Sequence, residues 1–214
     1  MTKQLSGLYV ITNEDLMPET EFLSMAEAAI TSGASVLQYR DKSSNKPKRL
    51  HQAKSLKKLC DRHHVYFIIN DDIELAKQVN ADGIHIGKND VSINETRKRI
   101  GANKIIGVSC YNQQTLALDA IKNGADYIAF GSFFGSSIKP DAPRANVELI
   151  SALKLIHSTP ICCIGGVTLE NQSPLLEAGS DMLAVISDIF SQADNEKISH
   201  RCQQYKKAFD ARNA

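Results

Sequence analysis

The chain has 214 residues, of which 43% are hydrophobic and 23% charged, and its net charge at neutral pH is +1. This balance is typical of a globular protein, and the small net charge excludes a chain-wide basic surface for nucleic acid or a membrane. The amino terminus has no apolar stretch of signal-peptide length, and no later run approaches a membrane span. The five cysteines lack Cys-x-x-Cys or zinc-like spacing, which favours a reduced, cytoplasmic protein.

Short apolar runs alternate with longer amphipathic stretches along the whole chain. The predicted strands are LYVIT (8–12), VLQYR (36–40), VYFIIN (65–70), GIHIG (83–87), IIGVSC (105–110), YIAFGS (127–132), PICCIGG (160–166) and MLAVIS (182–187). The stretches between and after them repeat apolar residues at helical spacing, as in KRLHQAKSLKKLCDRH and NVELISALKLIH. Short β-branched strands suit a parallel sheet that is buried on both faces. Eight strand–helix units in this length predict an α/β fold, a (β/α)8 TIM barrel forming a single domain over residues 1–214.

An internal repeat favours the closed barrel. The segments SGASVLQYR, NADGIHIG, NGADYIAFG and AGSDMLAVIS each place small residues, then Asp or Ser, before an even-numbered strand. A barrel built from duplicated quarters has this regularity. The alternative is a doubly wound open sheet, which shows the same alternation but usually has fewer strands.

Polar residues collect at the carboxyl ends of the predicted strands, where barrels of this kind carry their chemistry. These ends carry cations, hydroxyls and amides together with glycines that permit close backbone approach. The set comprises Gln38, Arg40, Lys42, Asn70, Asp71, Asp90, Ser109, Ser136, Ser137, Lys139, Gly165, Gly166 and Ser187.

Asp71 and Asp90 follow neighbouring strands and predict a site for Mg²⁺, a hard cation that prefers oxygen ligands. The alternative is helix capping, with Asp71 or Asp72 at the start of IELAKQVN and Asp90 at the start of the SINETRKRI helix. Arg40, Lys42 and Lys139 on the same rim favour the metal interpretation, because cations beside a metal imply a polyanionic ligand between them.

A second anion site is predicted where Gly165, Gly166 and Ser187 follow the last two strands, since these loops often bind phosphate through backbone N–H groups. The glycines alternatively serve only a tight turn. A long hydroxyl-rich loop, GSFFGSSIKPDAPRAN (131–146), carries Lys139 and predicts a functional segment.

Two other residues carry side chains that often take part in catalysis. His85 lies inside a predicted strand and is interpreted as a hydrogen-bonded barrel residue. Cys110 has no evident base as a partner, so it is interpreted as a small residue on the rim rather than a nucleophile.

The chain resembles the thiamine-phosphate synthase family from about Leu8 to Ile189. The motifs that carry the resemblance are LQYRDK (37–42), INDDIELA (69–76), ADGIHIGKND (81–90), IIGVS (105–109), FGSFFGSSIK (130–139), CIGGVTLEN (163–171) and AVISDI (184–189). Each motif alone is weakly specific, but their order and intervals together are specific.

The resemblance implies a role for each matching position. It implies that Gln38, Arg40, Lys42 and Asn70 contact a hydroxymethylpyrimidine diphosphate, and that Asp71 and Asp90 bind Mg²⁺ as the cofactor. The diphosphate contacts implied in the long loop and strand 5 are Ser109, Ser136, Ser137, Ile138 and Lys139, and the thiazole phosphate contacts are Gly166, Ile186 and Ser187. The implied catalytic residues are Lys139, Arg40 and Ser109.

The reaction that the resemblance implies joins the pyrimidine to the thiazole, giving thiamine phosphate and diphosphate. Its partners are small molecules, without nucleic acid or membrane, and the oligomeric state is left open, a homo-oligomer included. Among the departures from the family pattern, Ile138 stands where a hydroxyl is usual, and Tyr111 stands where histidine often follows the strand 5 motif. The alternatives are a thiazole tautomerase of the same fold and a non-catalytic barrel that binds thiamine phosphates.

Overall fold

The protein folds as a closed barrel of parallel strands, seen in a computed structural model that describes residues 5–87, 90–135 and 144–212. The strands follow one another around the barrel in chain order, and β8 pairs with β1 to close it. They are β1 (Gly7–Ile11), β2 (Ala34–Tyr39), β3 (Tyr66–Asn70), β4 (Gly83–Ile86), β5 (Ile105–Tyr111), β6 (Tyr127–Phe130), β7 (Ile161–Ile164) and β8 (Met182–Val185). The prediction of a TIM barrel is confirmed, and the open doubly wound sheet is wrong.

Helices cover the outside of the barrel. Within the described residues they are α1 (Phe22–Thr31), α2 (Lys46–His63), α3 (Ile73–Gln78), α4 (Ile93–Ile100), α5 (Gln114–Lys122), α6 (Glu148–Lys154), α7 (Ser173–Glu177), α8 (Ser187–Phe190) and α9 (Asn195–Arg212). The run predicted as strand 182–187 is two residues too long, because β8 ends at Val185 and Ser187 already begins the short helix α8. No helix in the described ranges combines the length and apolarity that a membrane crossing requires.

The alternation of side chains along each strand explains why the sequence closes into a barrel. One set of residues points into the barrel and forms a cluster that includes Tyr9, Ile68, Tyr127 and Cys162. The other set points outward and packs beneath the helices in a larger cluster. Cys163 belongs to that outer cluster, so the two adjacent cysteines lie on opposite faces of β7. Both faces are therefore buried, which requires the nearly continuous apolar runs seen in the sequence.

The repeated aspartates hold the amino-terminal end of the barrel together. Asp82, Asp126 and Asp181 each precede an even-numbered strand, and each carboxylate accepts a hydrogen bond from the first or second residue of the strand before it, at 2.7–2.8 Å. A positively charged residue of an outer helix forms an ion pair with each aspartate. These residues are Lys57 of α2, Arg97 of α4 and Lys154 of α6. Three of the repeated sequence segments thus form the same aspartate interaction, at the end of the barrel far from the site described below.

Candidate active site

The polar residues selected from the sequence meet at the carboxyl end of the barrel. Register places Ile68 of β3 beside Gln38 of β2, and Asn70 beside His85 of β4. Since successive residues alternate between faces, Gln38, Asn70 and Ser109 share the inward face with these partners. The structure brings them to the mouth, where the loops after the strands add the charged groups.

Asp71 and Asp90 lie close together at this mouth. Lys42 Nζ donates a hydrogen bond to Asp71 Oδ2 at 2.7 Å, and Gly87 N donates one to Asp90 Oδ2 at 2.7 Å. Burial raises the pKa of Asp90 above its ordinary value, and the negative charge of Asp71 acts in the same direction. The charges of Asp71, Asp90 and Lys42 therefore interact with one another.

Neither carboxylate serves as a helix cap. Asp72, one residue later, accepts from Leu75 N at 2.9 Å and caps α3. Ser92 accepts from Glu95 N and caps α4. The capping alternative is therefore wrong for Asp71 and Asp90, whose oxygens are left for the mouth of the barrel.

The backbone of Asp71 has a left-handed conformation, with φ of 61°. This conformation is unfavourable for a residue with a side chain, although aspartate tolerates it better than most. Strained backbone of this kind is concentrated at functional sites. It is held by a hydrogen bond from Asp71 N to the carbonyl of His85, at 2.9 Å.

The donor set fits Mg²⁺. The described residues contain no group of three or more histidine, cysteine or carboxylate side chains that could hold a metal by themselves. Magnesium is usually bound by one or two carboxylates, with substrate phosphates and water completing its coordination. Two carboxylates close enough for Asp71 to raise the pKa of Asp90 are suited to such a site, because a shared cation relieves their repulsion.

Arg40 brings a further cation to the same rim. Thr12 fixes its backbone, since Thr12 Oγ1 accepts from Arg40 N at 2.9 Å and donates to Arg40 O at 3.1 Å. Its guanidinium makes no hydrogen bond or ion pair within the part of the chain that the structure describes. Lys42 is anchored by its backbone N–H, which Glu14 accepts. Arg40 is thus positioned to bind an anionic ligand.

The predicted phosphate site after β7 and β8 lies against the base of the long loop. Gly165 and Gly166 have φ of 101° and 66°. Phe134 N donates to Gly165 O at 2.8 Å, and a Cβ on Gly166 would come within 2.2 Å of the Gly135 carbonyl oxygen. The glycines therefore have a structural task as well, because the base of the loop crosses directly over them.

The other members of this site are only partly described. Ile186 packs against the interior cluster, and its neighbour Ser187 begins α8. Ser136, Ser137, Ile138 and Lys139 lie outside the described residues, so the loop predictions for them stay predictions.

A chain of hydrogen bonds inside the barrel was missed by the sequence reasoning. It runs from Gln38 Nε2 to Tyr9 OH (2.9 Å), Tyr127 OH (2.8 Å), His85 Nδ1 (2.9 Å) and, from His85 Nε2, to Ser109 Oγ (2.8 Å). Both ends of the chain are residues that were predicted to bind substrate. Burial lowers the pKa of His85 to about 4. The interpretation of His85 as a hydrogen-bonded barrel residue is confirmed, and the missed signal was two tyrosines at inward positions of their strands.

Cys110 is not on the rim, and this interpretation is corrected. The side chain is fully buried in the outer cluster beneath the helices, because it follows the inward Ser109 and so points the opposite way. Burial raises the pKa of its thiol to about 12. A thiol held protonated and away from the mouth cannot act as a nucleophile there.

The family model described as thiamine monophosphate synthase matches residues 8–189. The chain belongs to this family. A thiamine-phosphate synthase of Alcanivorax borkumensis is 44% identical over 207 residues, 96% of this chain and 95% of that protein. One of Thioalkalivibrio sulfidiphilus is 41% identical, over 93% of this chain and 94% of that protein.

A solved structure supports the same relationship. The thiamine phosphate pyrophosphorylase of Pyrococcus furiosus superposes with a TM-score of 0.87 at 30% identity, covering 97% of both chains. The structure titled native KDPGal, with a TM-score of 0.73 at 18% identity, shows a likeness of fold alone.

Proposed function

We propose that the protein is a thiamine-phosphate synthase, which joins hydroxymethylpyrimidine diphosphate to thiazole phosphate and releases diphosphate. The observation that carries the proposal is the carboxylate pair Asp71 and Asp90 beside Lys42 and Arg40, whose guanidinium has no partner among the described residues. Membership of the family and the names of relatives at 41–44% identity support it. An arrangement of opposite charges around one mouth suits a diphosphate and a metal bound together.

The bond changes in the proposed reaction need no nucleophile from the protein. The bond between the pyrimidine methylene and the diphosphate oxygen breaks, and the oxygen keeps the electron pair. The thiazole nitrogen then donates its lone pair to the methylene cation and forms the new bond. The protein's task is to position both substrates and to stabilise the charge on the departing group.

Cations of the rim would stabilise the leaving diphosphate. We assign this role to Arg40, Lys42 and Lys139, with Ser109 donating a hydrogen bond to the same group. Gln38 and Asn70, which face the mouth from β2 and β3, would orient the pyrimidine. Gln38 and Ser109 are held by hydrogen bonds to Tyr9 and His85 before the reaction starts, so these two groups need little reorganisation.

Asp71 and Asp90 would hold Mg²⁺. When bound, the ion supplies positive charge against the diphosphate oxygens. Lys42, which pairs with Asp71 in this structure, would then be released to contact the diphosphate.

The second substrate would bind at the opposite side of the mouth. The thiazole phosphate would accept hydrogen bonds from the backbone N–H groups of Gly166, Ile186 and Ser187. The loop with Ser136, Ser137 and Ile138 would close over both phosphates and exclude water from the cation. The base of this loop already crosses the glycine pair, which supports a link between the two sites.

The remaining proposals concern the molecule as a whole. Residues 1–214 would act as one barrel domain with small-molecule substrates, and a homo-oligomer is compatible with this activity. A cytoplasmic location is supported by the five cysteines, all of them free and buried.

A turnover assay with both substrates, in Mg²⁺ and in excess chelator, tests the function. We expect thiamine phosphate and diphosphate in equal amounts with Mg²⁺, and loss of both with chelator. Conversion of a thiazole tautomer without diphosphate release would indicate the tautomerase instead, although Tyr111 stands where that enzyme is expected to have a histidine. Binding of thiamine phosphate without turnover would indicate the non-catalytic barrel.

A further inference from the structure

The interior hydrogen-bond chain has a direction that its buried groups fix. Tyr9 and Tyr127 are 1% and 0% exposed, so their hydroxyl protons must find acceptors inside the barrel. Gln38 Nε2 is a donor only, and therefore the Tyr9 oxygen accepts from it at 2.9 Å. Within the described residues, the acceptor left for the Tyr9 proton is the Tyr127 oxygen at 2.8 Å.

The directions of the remaining hydrogen bonds, as far as Ser109, follow in the same way. Because Tyr127 accepts from Tyr9, its own proton goes to His85 Nδ1 at 2.9 Å. The imidazole proton then resides on Nε2 and is donated to Ser109 Oγ at 2.8 Å. A doubly protonated ring is excluded by this geometry, since Nδ1–H would leave the buried Tyr127 proton without an acceptor.

Among the described residues, Ser109 has no acceptor for its own hydroxyl proton. Its oxygen accepts from His85, so its hydroxyl hydrogen is free to point away from the barrel interior. Ser109 is half-buried at the carboxyl end of β5, next to the mouth. The chain therefore leaves one hydroxyl proton available for a ligand there.

We propose that Tyr127 and His85 are positioning residues that make Ser109 a directed hydrogen-bond donor to an anionic oxygen of the bound diphosphate substrate. The proposal rests on the proposed function for the identity of the ligand. A hydroxyl whose oxygen is already engaged by His85 donates its proton outward without first breaking a bond to the protein. A hydrogen bond donated to an ionised oxygen is stronger than a neutral one, so fixing the donor direction favours a phosphate over a neutral acceptor.

The shape of the barrel interior is consistent with a dedicated place for the Tyr127 ring. Gly107 of β5 lies beside Tyr127 of β6, and a Cβ there would come within 1.9 Å of Tyr127 Cζ. The ring of Tyr127 also stacks on the His85 ring, with centroids 5.6 Å apart and planes 28° apart. The phenol is thereby held at His85 by packing as well as by its hydrogen bond.

The direction of the chain is tested without reference to activity, by ¹⁵N NMR of histidine-labelled protein. We expect the His85 ring, assigned by its loss in His85→Asn, to carry its proton on Nε2. Tyr127→Phe removes the donor to Nδ1, and we expect the Nδ1–H form to appear. Tyr9→Phe is the matched control, because Tyr127 still donates to His85 and the Nε2–H form should persist.

Kinetics then tests whether the chain acts through Ser109. We expect Tyr127→Phe to lower kcat/KM by about tenfold, which corresponds to about 1.4 kcal/mol, and to cost less than about twofold in a Ser109→Ala background. Tyr39→Phe is the control for loss of a buried phenol hydroxyl, since Tyr39 OH bonds to Gln52 on the outer side of β2. It should leave kcat/KM unchanged in both backgrounds.

The outcomes separate this inference from the proposed function. An Nδ1–H proton on His85 in the unmodified protein would overturn the inference. So would an equal loss from Tyr127→Phe with and without Ser109, which indicates a structural role alone. Absence of thiamine phosphate formation by the unmodified protein would overturn the proposed function, while the NMR result would still decide the direction of the chain.

Discussion

Adjacent carboxylates at the end of β3 have different tasks because their backbones differ. Asp71 has a left-handed φ of 61° and turns its side chain to Lys42 at the mouth. Asp72 is extended, caps α3 and pairs with Arg49 at 2.8 Å. Adjacent residues are thus a group proposed to bind Mg²⁺ and a group that stabilises a helix.

This difference gives a matched pair of substitutions. Asp71→Asn removes one of the two charges proposed to hold Mg²⁺, and we expect kcat/KM to fall by about 10²–10³, the usual cost of losing a charge-stabilising group. Asp72→Asn should keep activity within about twofold, because asparagine caps a helix as well as aspartate. The measurement is steady-state turnover over a range of Mg²⁺ concentrations. Equal effects of the two substitutions would contradict the assignment of Asp71 to the metal.

Arg40 offers a second test at the scale of the residue. Its guanidinium is unpaired among the described residues, so Arg40→Ala breaks no side-chain hydrogen bond or ion pair there. The melting temperature should therefore change little. We expect kcat to fall by about 10²-fold, because a preorganised charge on the leaving group is lost. Arg40→Lys should recover part of the loss, since lysine supplies the charge without the planar fork. A change confined to KM for the thiazole phosphate would assign Arg40 to the other substrate.

The element that recurs around the barrel is an aspartate linking a strand, a helix cation and the next strand. Asp181 is the most buried example: its side chain is 14% exposed, and the side chain of its partner Lys154 is 23% exposed. Ile161 N donates to it at 2.7 Å. This arrangement recurs in three quarters of the barrel and fixes the register of the strands at the amino-terminal end. In TIM barrels that end contributes to stability rather than to chemistry.

We expect Asp181→Ala to reduce the free energy of unfolding by about 2–3 kcal/mol, because it leaves the buried Ile161 N–H and the Lys154 ammonium without their partner. Asp181→Asn keeps an acceptor for Ile161 N and should cost about 1 kcal/mol. Asp119→Ala, at an exposed position of α5, should stay within about 0.5 kcal/mol. Urea unfolding followed by circular dichroism measures all three. Turnover per folded molecule should be unchanged in the Asp181 variants, and a loss of turnover without a loss of stability would contradict this division.

Strand positions were predictable because their signal is local. A β-branched run such as VYFIIN is buried on both faces, and the observed strand differs from the predicted one by a single residue. The charged residues of the mouth were predictable for the same reason, since they follow these strands directly. The error at β8 arose because Ile186 and Ser187 continue an apolar run although the backbone already turns into α8.

What the sequence could not supply was pairing across the barrel. Tyr9 and Tyr127 are 118 residues apart, and their 2.8 Å hydrogen bond depends on barrel closure. Cys110 was assigned to the rim because it ends a predicted strand, but the face of a strand residue depends on register. Register is a property of neighbouring strands, so it becomes visible only in the folded molecule.

In the whole molecule, the groups proposed to bind substrate and the groups that stabilise the fold lie at opposite ends of one barrel. The groups proposed to bind substrate follow the carboxyl ends of the strands, and the aspartate links lie at the other end. Because the two ends share no hydrogen-bonded group within the described residues, their contributions to stability should be additive.

Diphosphate binding provides the measurement of this separation. Inorganic diphosphate with Mg²⁺, at about 100 times its Kd, should stabilise the folded protein by about 2.7 kcal/mol. For a chain of this size, that raises Tm by about 5–10 °C. Asp71→Asn should abolish this shift while keeping the Tm of the free protein, whereas Asp181→Asn should lower that Tm and keep the shift. Thermal unfolding of the two variants, with and without ligand, gives four values that test additivity directly, and a shift reduced in Asp181→Asn would show that the two ends are coupled.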